Sequence, residues 1–177
     1  PYLQALLTRL GSEGSTQRSA ADSVAALRAE LAQLADRCEL ILTTGGVSAG
    51  RLDLVPDVVR ALGGEILFHK VAIRPGKPIL LARLPGGTLL FGLPGNPLAV
   101  AVGMRFFVVP ALRAMQGMAP EVFTPALCDA AVRSRGQLRF FAKAHRHIDA
   151  AARSRVEILP GQEPFRIGPL LQANSKA

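Results

Sequence analysis

Three short segments rich in glycine and proline constrain this chain more than any other feature. They are Gly45-Gly46-Val47-Ser48-Ala49-Gly50, Arg74-Pro75-Gly76-Lys77-Pro78 and Gly92-Leu93-Pro94-Gly95-Asn96-Pro97. The first follows Leu40-Ile41-Leu42-Thr43, a short apolar run with β-branched members that reads as a buried strand. The second separates a strand-like stretch, residues 66–73, from Ile79-Leu80-Leu81. The third is entered from Thr88-Leu89-Leu90-Phe91, and its Asn96-Pro97 end is a strong helix start: a capping amide followed by a preset φ. Pro85-Gly86-Gly87, between the last two apolar runs, marks a hairpin.

Helical patterns fill the intervals. Leu3, Leu6, Leu7 and Leu10 recur at helical spacing before Gly11 stops them. Asp22 has the chemistry of an N-cap, and Val24, Leu27, Leu31 and Leu34 form one apolar stripe that ends near Arg37. Pro56 fits the first turn of a helix reaching Leu62, with Gly63-Gly64 as its stop. After Asn96 the helix is apolar on nearly every face (Leu98, Val100, Val102, Met104, Phe106, Phe107), so burial is expected, with a kink at Pro110. From about Met118 the texture changes to prolines and short β-rich patches. Residues 1–117 are therefore expected to form an α/β domain whose sheet is mostly parallel, with the hairpin as an antiparallel edge. Residues 118–177 are expected to form part of a small β domain.

Composition narrows the class of partner. Of 177 residues, 49% are hydrophobic and 19% charged, as in ordinary globular proteins. The net charge of +8 favours an anionic partner. No Lys/Arg run marks a basic arm, and with no Trp and one Tyr the chain is poor in surfaces on which bases stack. Nucleic acid therefore ranks last, and a small phosphorylated ligand fits better. Cys38 and Cys128 lie far apart without metal-ligand spacing, which suggests two buried thiols of an intracellular protein. No signal peptide opens the chain, and the most apolar stretch, residues 97–109, contains Arg105 and falls short of the ~20 residues of a membrane span. The expected location is cytoplasmic.

In open α/β sheets, ligands bind at the carboxyl ends of strands, where loops fan apart. Glycines in the first loop let backbone amides approach an anion, and the helix after it adds a modest positive end. Asp53 just beyond suits either a divalent cation such as Mg²⁺ or a helix cap ahead of Val55-Pro56. Arg74 and Lys77 flank Pro75-Gly76; two cations on a rigid turn suit a small oxyanion, although a solvated surface turn has the same composition. His145 and His147 alternate on one face of a strand and read as surface basic residues rather than a metal pair. Ser48 has no His/Asp partners at any evident spacing, so nucleophilic catalysis lacks support.

Taken together the loops carry a resemblance. Thr43-Thr44-Gly45-Gly46-Val47-Ser48-Ala49-Gly50 followed by Asp53 resembles the TSGGVSxGxxD stretch of molybdopterin molybdenumtransferases. Arg74-Pro75-Gly76-Lys77-Pro78 is similar to their KPGKP loop, and Gly92 to Pro97 to their GLPGNP loop, in the same order and spacing. The resemblance implies a three-layer molybdopterin-binding fold, and a reaction in which adenylylated molybdopterin plus molybdate gives molybdenum cofactor and AMP, assisted by Mg²⁺. It assigns pterin and phosphate binding to Gly45, Gly46, Val47, Ser48, Gly50, Pro94, Gly95 and Asn96. Oxyanion binding falls to Arg74, Pro75, Gly76, Lys77 and Pro78, catalysis to Asp53 and Lys77, and the metal to Asp53 and Asp22. It also implies a homodimer of the full-length protein, a molybdopterin adenylyltransferase as possible partner, and large N-terminal domains, a first strand and an acidic loop ahead of Pro1. Arg51, Ala99 and Lys143 depart from residues usual in the family. A molybdopterin-binding scaffold without turnover is thus the alternative to an enzyme.

Overall fold

A computed structural model describes residues 2–12, 14–21, 23–47, 54–131, 136–163, 165–166, 168, 173 and 175–176. Helix α1 (Tyr2–Arg9) and helix α2 (Val24–Ala35) precede the first strand, β1 (Leu40–Thr44). The cap of α2 is Ser23 rather than Asp22: its backbone is extended and its Oγ accepts from Ala26 N. Both residues have capping chemistry, and the accepting geometry selects the one adjoining the first helical residue. Asp22 itself lies outside the described residues.

Helix α3 (Leu54–Ala61) leads to β2 (Glu65–His69) and the short β3 (Ile73–Arg74). The run expected as one strand over residues 66–73 breaks at Lys70, whose φ of 66° turns the chain out of the extended region. Strands β4 (Leu80–Arg83) and β5 (Leu89–Leu93) form the expected hairpin.

These strands make a sheet of order β1-β5-β4-β2. Strand β5 lies parallel to β1 and antiparallel to β4, while β4 is antiparallel to β2. Strands β1, β5 and β2 therefore run the same way and β4 alone opposes them. The hairpin is not an edge: β2 covers the outer side of β4. An apolar run shows that a strand is buried without naming its neighbour.

Apolar residues divide between the two faces. Leu31, Ile41, Val58, Val59, Leu80, Ala82 and Leu90 pack together between the sheet and α2/α3. Phe91, Leu93, Val100 and Met104 pack on the other face, joined by Leu3, Leu7, Leu42 and Phe68. Alternation along β4 and β5 sends successive side chains to opposite sides, which produces the three layers. Strand β2 departs from this rule. Ile66 pairs with Ala82 and Phe68 with Leu81, so Leu67 is the extra residue of a β-bulge, and it stands 45% exposed. The bulge places Ile66 in one core and Phe68 in the other.

After β5, helix α4 (Pro97–Gly103) begins on the Asn96 cap and continues through a π-helical turn, Met104–Val108, into α5 (Val109–Met115). Pro110 does not end the helix. It has no N–H and its ring crowds the carbonyl one turn earlier; the preceding turn widens instead, with Val109 N–H reaching back to Met104 O. The continuous helix Pro97–Met115 is 19 residues, long and apolar enough to cross a membrane by length and composition alone, with half of its most apolar window buried in this protein. Here it serves as a core helix on the sheet.

The remaining strands are β6 (Leu127–Cys128), β7 (Arg139–Phe140), β8 (Lys143–Ile148), β9 (Ser154–Ile158) and β10 (Ser175–Lys176). A second sheet has the order β10-β8-β9-β6. Strand β7 instead pairs in parallel with β3, and the Phe141 ring stacks on Phe106 at 4.2 Å between centroids. The thiols are less enclosed than their spacing suggested: Cys38 is half-buried and Cys128, on a short strand of the second sheet, is exposed.

Candidate functional site

Antiparallel β4 starts where its neighbours β1, β5 and β2 end, so one end of the sheet receives all three glycine-rich loops. Gly45 leaves β1, the Arg74–Pro78 segment enters β4, and Pro94 leaves β5. The register brings Thr43, Gly92, Leu80 and His69 into one row across the sheet at this end.

The first loop is held along its described length. Gly45 and Gly46 take φ values of 85° and 66°, which an L side chain rarely adopts. Gly45 N–H donates to Leu93 O at 2.9 Å, and Gly46 O accepts from Val55 N at 3.2 Å. The Val47 side chain is buried in the core under α2 and α3. It lies over the only kind of residue that leaves room for it: a Cβ on Gly92 would stand 2.5 Å from Val47 Cγ1. Among the described residues, the N–H groups of Gly46 and Val47 have no backbone acceptor. Amides that can donate to a ligand, beside glycines that let it come close, are what an anion site requires.

His69 is part of this arrangement, and sequence reading did not single it out. Its Nε2 lies 3.2 Å from Val47 O, and since a carbonyl only accepts, that nitrogen carries the hydrogen. A histidine closing an apolar strand beside a glycine loop was the available signal; which strand the loop crosses was not.

The second loop has a fixed backbone and free side chains. The Arg74–Pro75 peptide is cis, Gly76 has φ of 111°, and Pro75 and Gly76 are buried. Lys77 O accepts from Val71 N at 2.8 Å, Gly76 O from Ile79 N at 3.0 Å, and Arg74 O from Phe141 N at 2.9 Å. The Arg74 and Lys77 side chains remain exposed, with no carboxylate partner among the described residues. Two unpaired cations on a braced turn suit a small oxyanion.

The third loop meets the first: a Cβ on Gly95 would lie 3.9 Å from Gly45 Cα. Pro94 is buried and Pro97 opens the helix. Asn96 Oδ1 accepts from Leu98 N at 3.1 Å and Ala99 N at 3.4 Å. That oxygen is committed to the helix cap, which leaves the Asn96 amide NH₂ as its free polar group.

Ser48, Gly50, Asp53 and Arg51 lie outside the described residues. No group of three or more His, Cys, Asp or Glu able to hold a metal exists among the described residues. His147 does have a carboxylate neighbour, brought from β6 through the second sheet: its Nε2 is 3.8 Å from Asp129 Oδ2. Lys143, one of the departures from the family's usual residues, is nearly fully buried; its ammonium donates to the carbonyls of Gly161, Glu163 and Arg166. Burial, more than the opposing Glu163 charge, holds this ammonium below the usual lysine range.

Residues 1–114 match the family described as "Probable molybdopterin binding domain". A molybdopterin molybdenumtransferase of Staphylococcus aureus (strain Mu50) is 38% identical over 123 residues, covering 70% of this chain and 29% of that protein. One from Synechococcus elongatus is 41% identical over 127 residues, covering 71% and 31%. This chain thus spans under a third of the length of these relatives. Among solved structures, a molybdenum cofactor biosynthesis protein from Pyrococcus furiosus superposes with a TM-score of 0.72 at 25% identity, covering 99% of this chain and 55% of that one.

Proposed function

Since the chain belongs to the molybdopterin-binding domain family, we propose that this end of its sheet binds molybdopterin by the terminal phosphate and receives molybdate beside it. The observation that supports this reading most is the convergence itself: one braced loop carries two amides without a backbone acceptor among the described residues, a second offers two exposed cations, and the third closes on the first. In this reading Gly45, Gly46, Val47, Ser48 and Gly50 face the phosphate, Pro94, Gly95 and Asn96 form the adjoining wall, and Arg74 with Lys77 gathers the oxyanion on the Pro75-Gly76-Pro78 turn.

The chemistry proposed for the parent protein is molybdenum insertion into adenylylated molybdopterin with release of AMP. The contribution of this chain would be positioning and charge. Amides and cations fixed before the ligand arrives need no reorganisation as negative charge shifts between molybdate and phosphate oxygens. Lys77 would act on the oxyanion. Mg²⁺ is proposed on Asp53, with Asp22 as a further carboxylate, and it would neutralise phosphate charge. A homodimer, a molybdopterin adenylyltransferase as supplier and a cytoplasmic location belong to the same proposal.

Titration with molybdopterin under anaerobic conditions tests it, beside Asp53→Ala and Lys77→Ala. Weakened binding in both variants is expected. A folded chain that binds no molybdopterin, or variants that bind like the parent, would overturn the assignment. A scaffold without turnover is the second reading: Arg51, Ala99 and Lys143 depart from residues usual in the family, and Lys143 commits its ammonium to three backbone carbonyls. Single-turnover release of AMP from adenylylated molybdopterin separates the two.

A further inference from the structure

We propose that His69 is a positioning residue for the phosphate-binding loop, aimed at it by the β-bulge at Leu67; this rests on the phosphate reading above. The argument begins with parity. In a regular strand, residues 66 and 68 share a face and residue 69 takes the other. Ile66 lies in the core under α2 and α3, so an unbroken β2 would turn His69 toward the opposite core, away from Val47. The extra residue at Leu67 reverses the parity. Phe68 enters the opposite core, and His69 pairs with Leu80, whose side chain lies in the same core as Val47. Re-aiming one side chain beside a site is a recurrent use of such bulges.

The loop it holds begins on the far side of the sheet. Strand β1 is at one edge and β2 at the other, and the chain from Gly45 to Val47 crosses the ends of β5 and β4 to reach β2. Along that path Gly45 is tied to Leu93 of β5, Val47 is seated on Gly92 and near Leu80, and Val47 O meets His69 Nε2. His69 thus fixes the orientation of the peptide that follows Val47. Gly45 N–H on Leu93 O and Val55 N–H on Gly46 O brace the segment that carries the Gly46 and Val47 N–H groups, and His69 pins its far end at Val47 O. The segment is thus held before the ligand arrives, and preorganised donors bind an anion more tightly than mobile ones.

The test compares His69→Phe, which keeps bulk and loses the donor, with His69→Gln, which restores an N–H. Each is titrated with molybdopterin anaerobically and melted without ligand. The expected result is about tenfold weaker binding in His69→Phe at a nearly unchanged melting temperature, and recovery of most of that loss in His69→Gln. Binding in His69→Phe equal to that of the parent chain would overturn the proposal. So would a loss that His69→Gln does not recover, which would point to packing. If the parent chain itself binds no molybdopterin, the phosphate reading fails first; amide shifts of Gly46 and Val47 that are alike in parent and His69→Phe would then overturn the positioning role independently.

Discussion

At Gly92 the space left by one absent methyl group decides where a loop can rest. An alanine there would drive its Cβ to within 2.5 Å of Val47 Cγ1 and 3.3 Å of Leu80 Cβ. Leu80 is fixed in the sheet, so Val47 must yield. Gly92→Ala is expected to cost about 1–3 kcal/mol by overpacking and to weaken molybdopterin binding as the loop lifts. Val47→Ala in the same chain should return part of that stability, a non-additivity that denaturant melts of the two single variants and the double variant would read directly. Additive losses would mean that the two side chains do not compete for this space.

Lys143 works by the opposite device, a charge enclosed because a loop needs it. Three carbonyls converge on its ammonium, and Gln162 bridges back to the Lys143 backbone. Removing the ammonium strands those oxygens, so Lys143→Met is expected to lower stability by about 2 kcal/mol. Its pH dependence has a definite sign. The folded chain holds the lysine pKa below its ordinary 10.5, so the unfolded chain binds the proton more tightly in the window between the two values. The burial penalty is fully present below that window and fades as pH rises through it. The parent should therefore gain stability over Lys143→Met between neutral and strongly alkaline pH, and melts at both ends would show the difference widening; a difference that narrows would contradict the assignment.

Turns and caps in this chain obey local rules, and the β8–β9 hairpin shows how far those reach. Asp149 accepts from Ala151 N at 2.9 Å, Arg153 N at 3.0 Å and Arg153 Nε at 2.9 Å, which ties the turn from inside. The Arg153 amide first, then its guanidinium and the Ala151 amide, hold this carboxyl below the usual aspartate range. Its contribution is complete above the ordinary carboxylate pKa and is lost as pH falls through the lowered one. Exchange protection of the hairpin amides should collapse in acid in the parent, while Asp149→Asn should show weaker protection with little of that pH dependence.

Features of this local kind were legible in the sequence. The Asn96-Pro97 start, the Gly63-Gly64 stop and the Pro85-Gly86-Gly87 turn all stand where reading placed them, because each is decided within four or five residues. What escaped reading depends on distant pairing. Glu65-Ile66-Leu67-Phe68-His69 carries no alternation that would reveal a bulge; the bulge follows from β4 lying alongside. The interior place of β4, the contact of His69 with Val47 and the carbonyls around Lys143 share that origin. The three loops were recognisable as a set, yet their convergence rests on β4 running against its neighbours.

Across the whole molecule the two sheets meet through a narrow seam, and the seam passes beside the cationic loop. Strands β3 and β7 pair over two residues each, Ile73 with Arg139 and Arg74 with Phe140. Phe141 closes the seam: its N–H donates to Arg74 O, and its ring lies on Phe106 at the edge of the larger core. We propose residues 1–117 and 118–177 as two folding units joined here. A seam of that size is weaker than either flanking sheet, since few amides are exchanged and the rings that cross it, Phe141 and Phe123 on Phe106, are few. Phe141→Ala should cost about 2 kcal/mol, less than truncation of a fully buried phenylalanine, and the loss should be local. Amides of β8 and β9 are expected to exchange faster while those of β1 and β5 keep their protection. Because Arg74 O loses its donor's anchorage, the anion binding proposed for Arg74 and Lys77 should weaken in the same variant, readable as lower affinity for molybdate. Equal loss of protection in both sheets would mean that the chain folds as one cooperative unit, and unchanged molybdate affinity would mean that the cationic loop is braced from the β4 side alone.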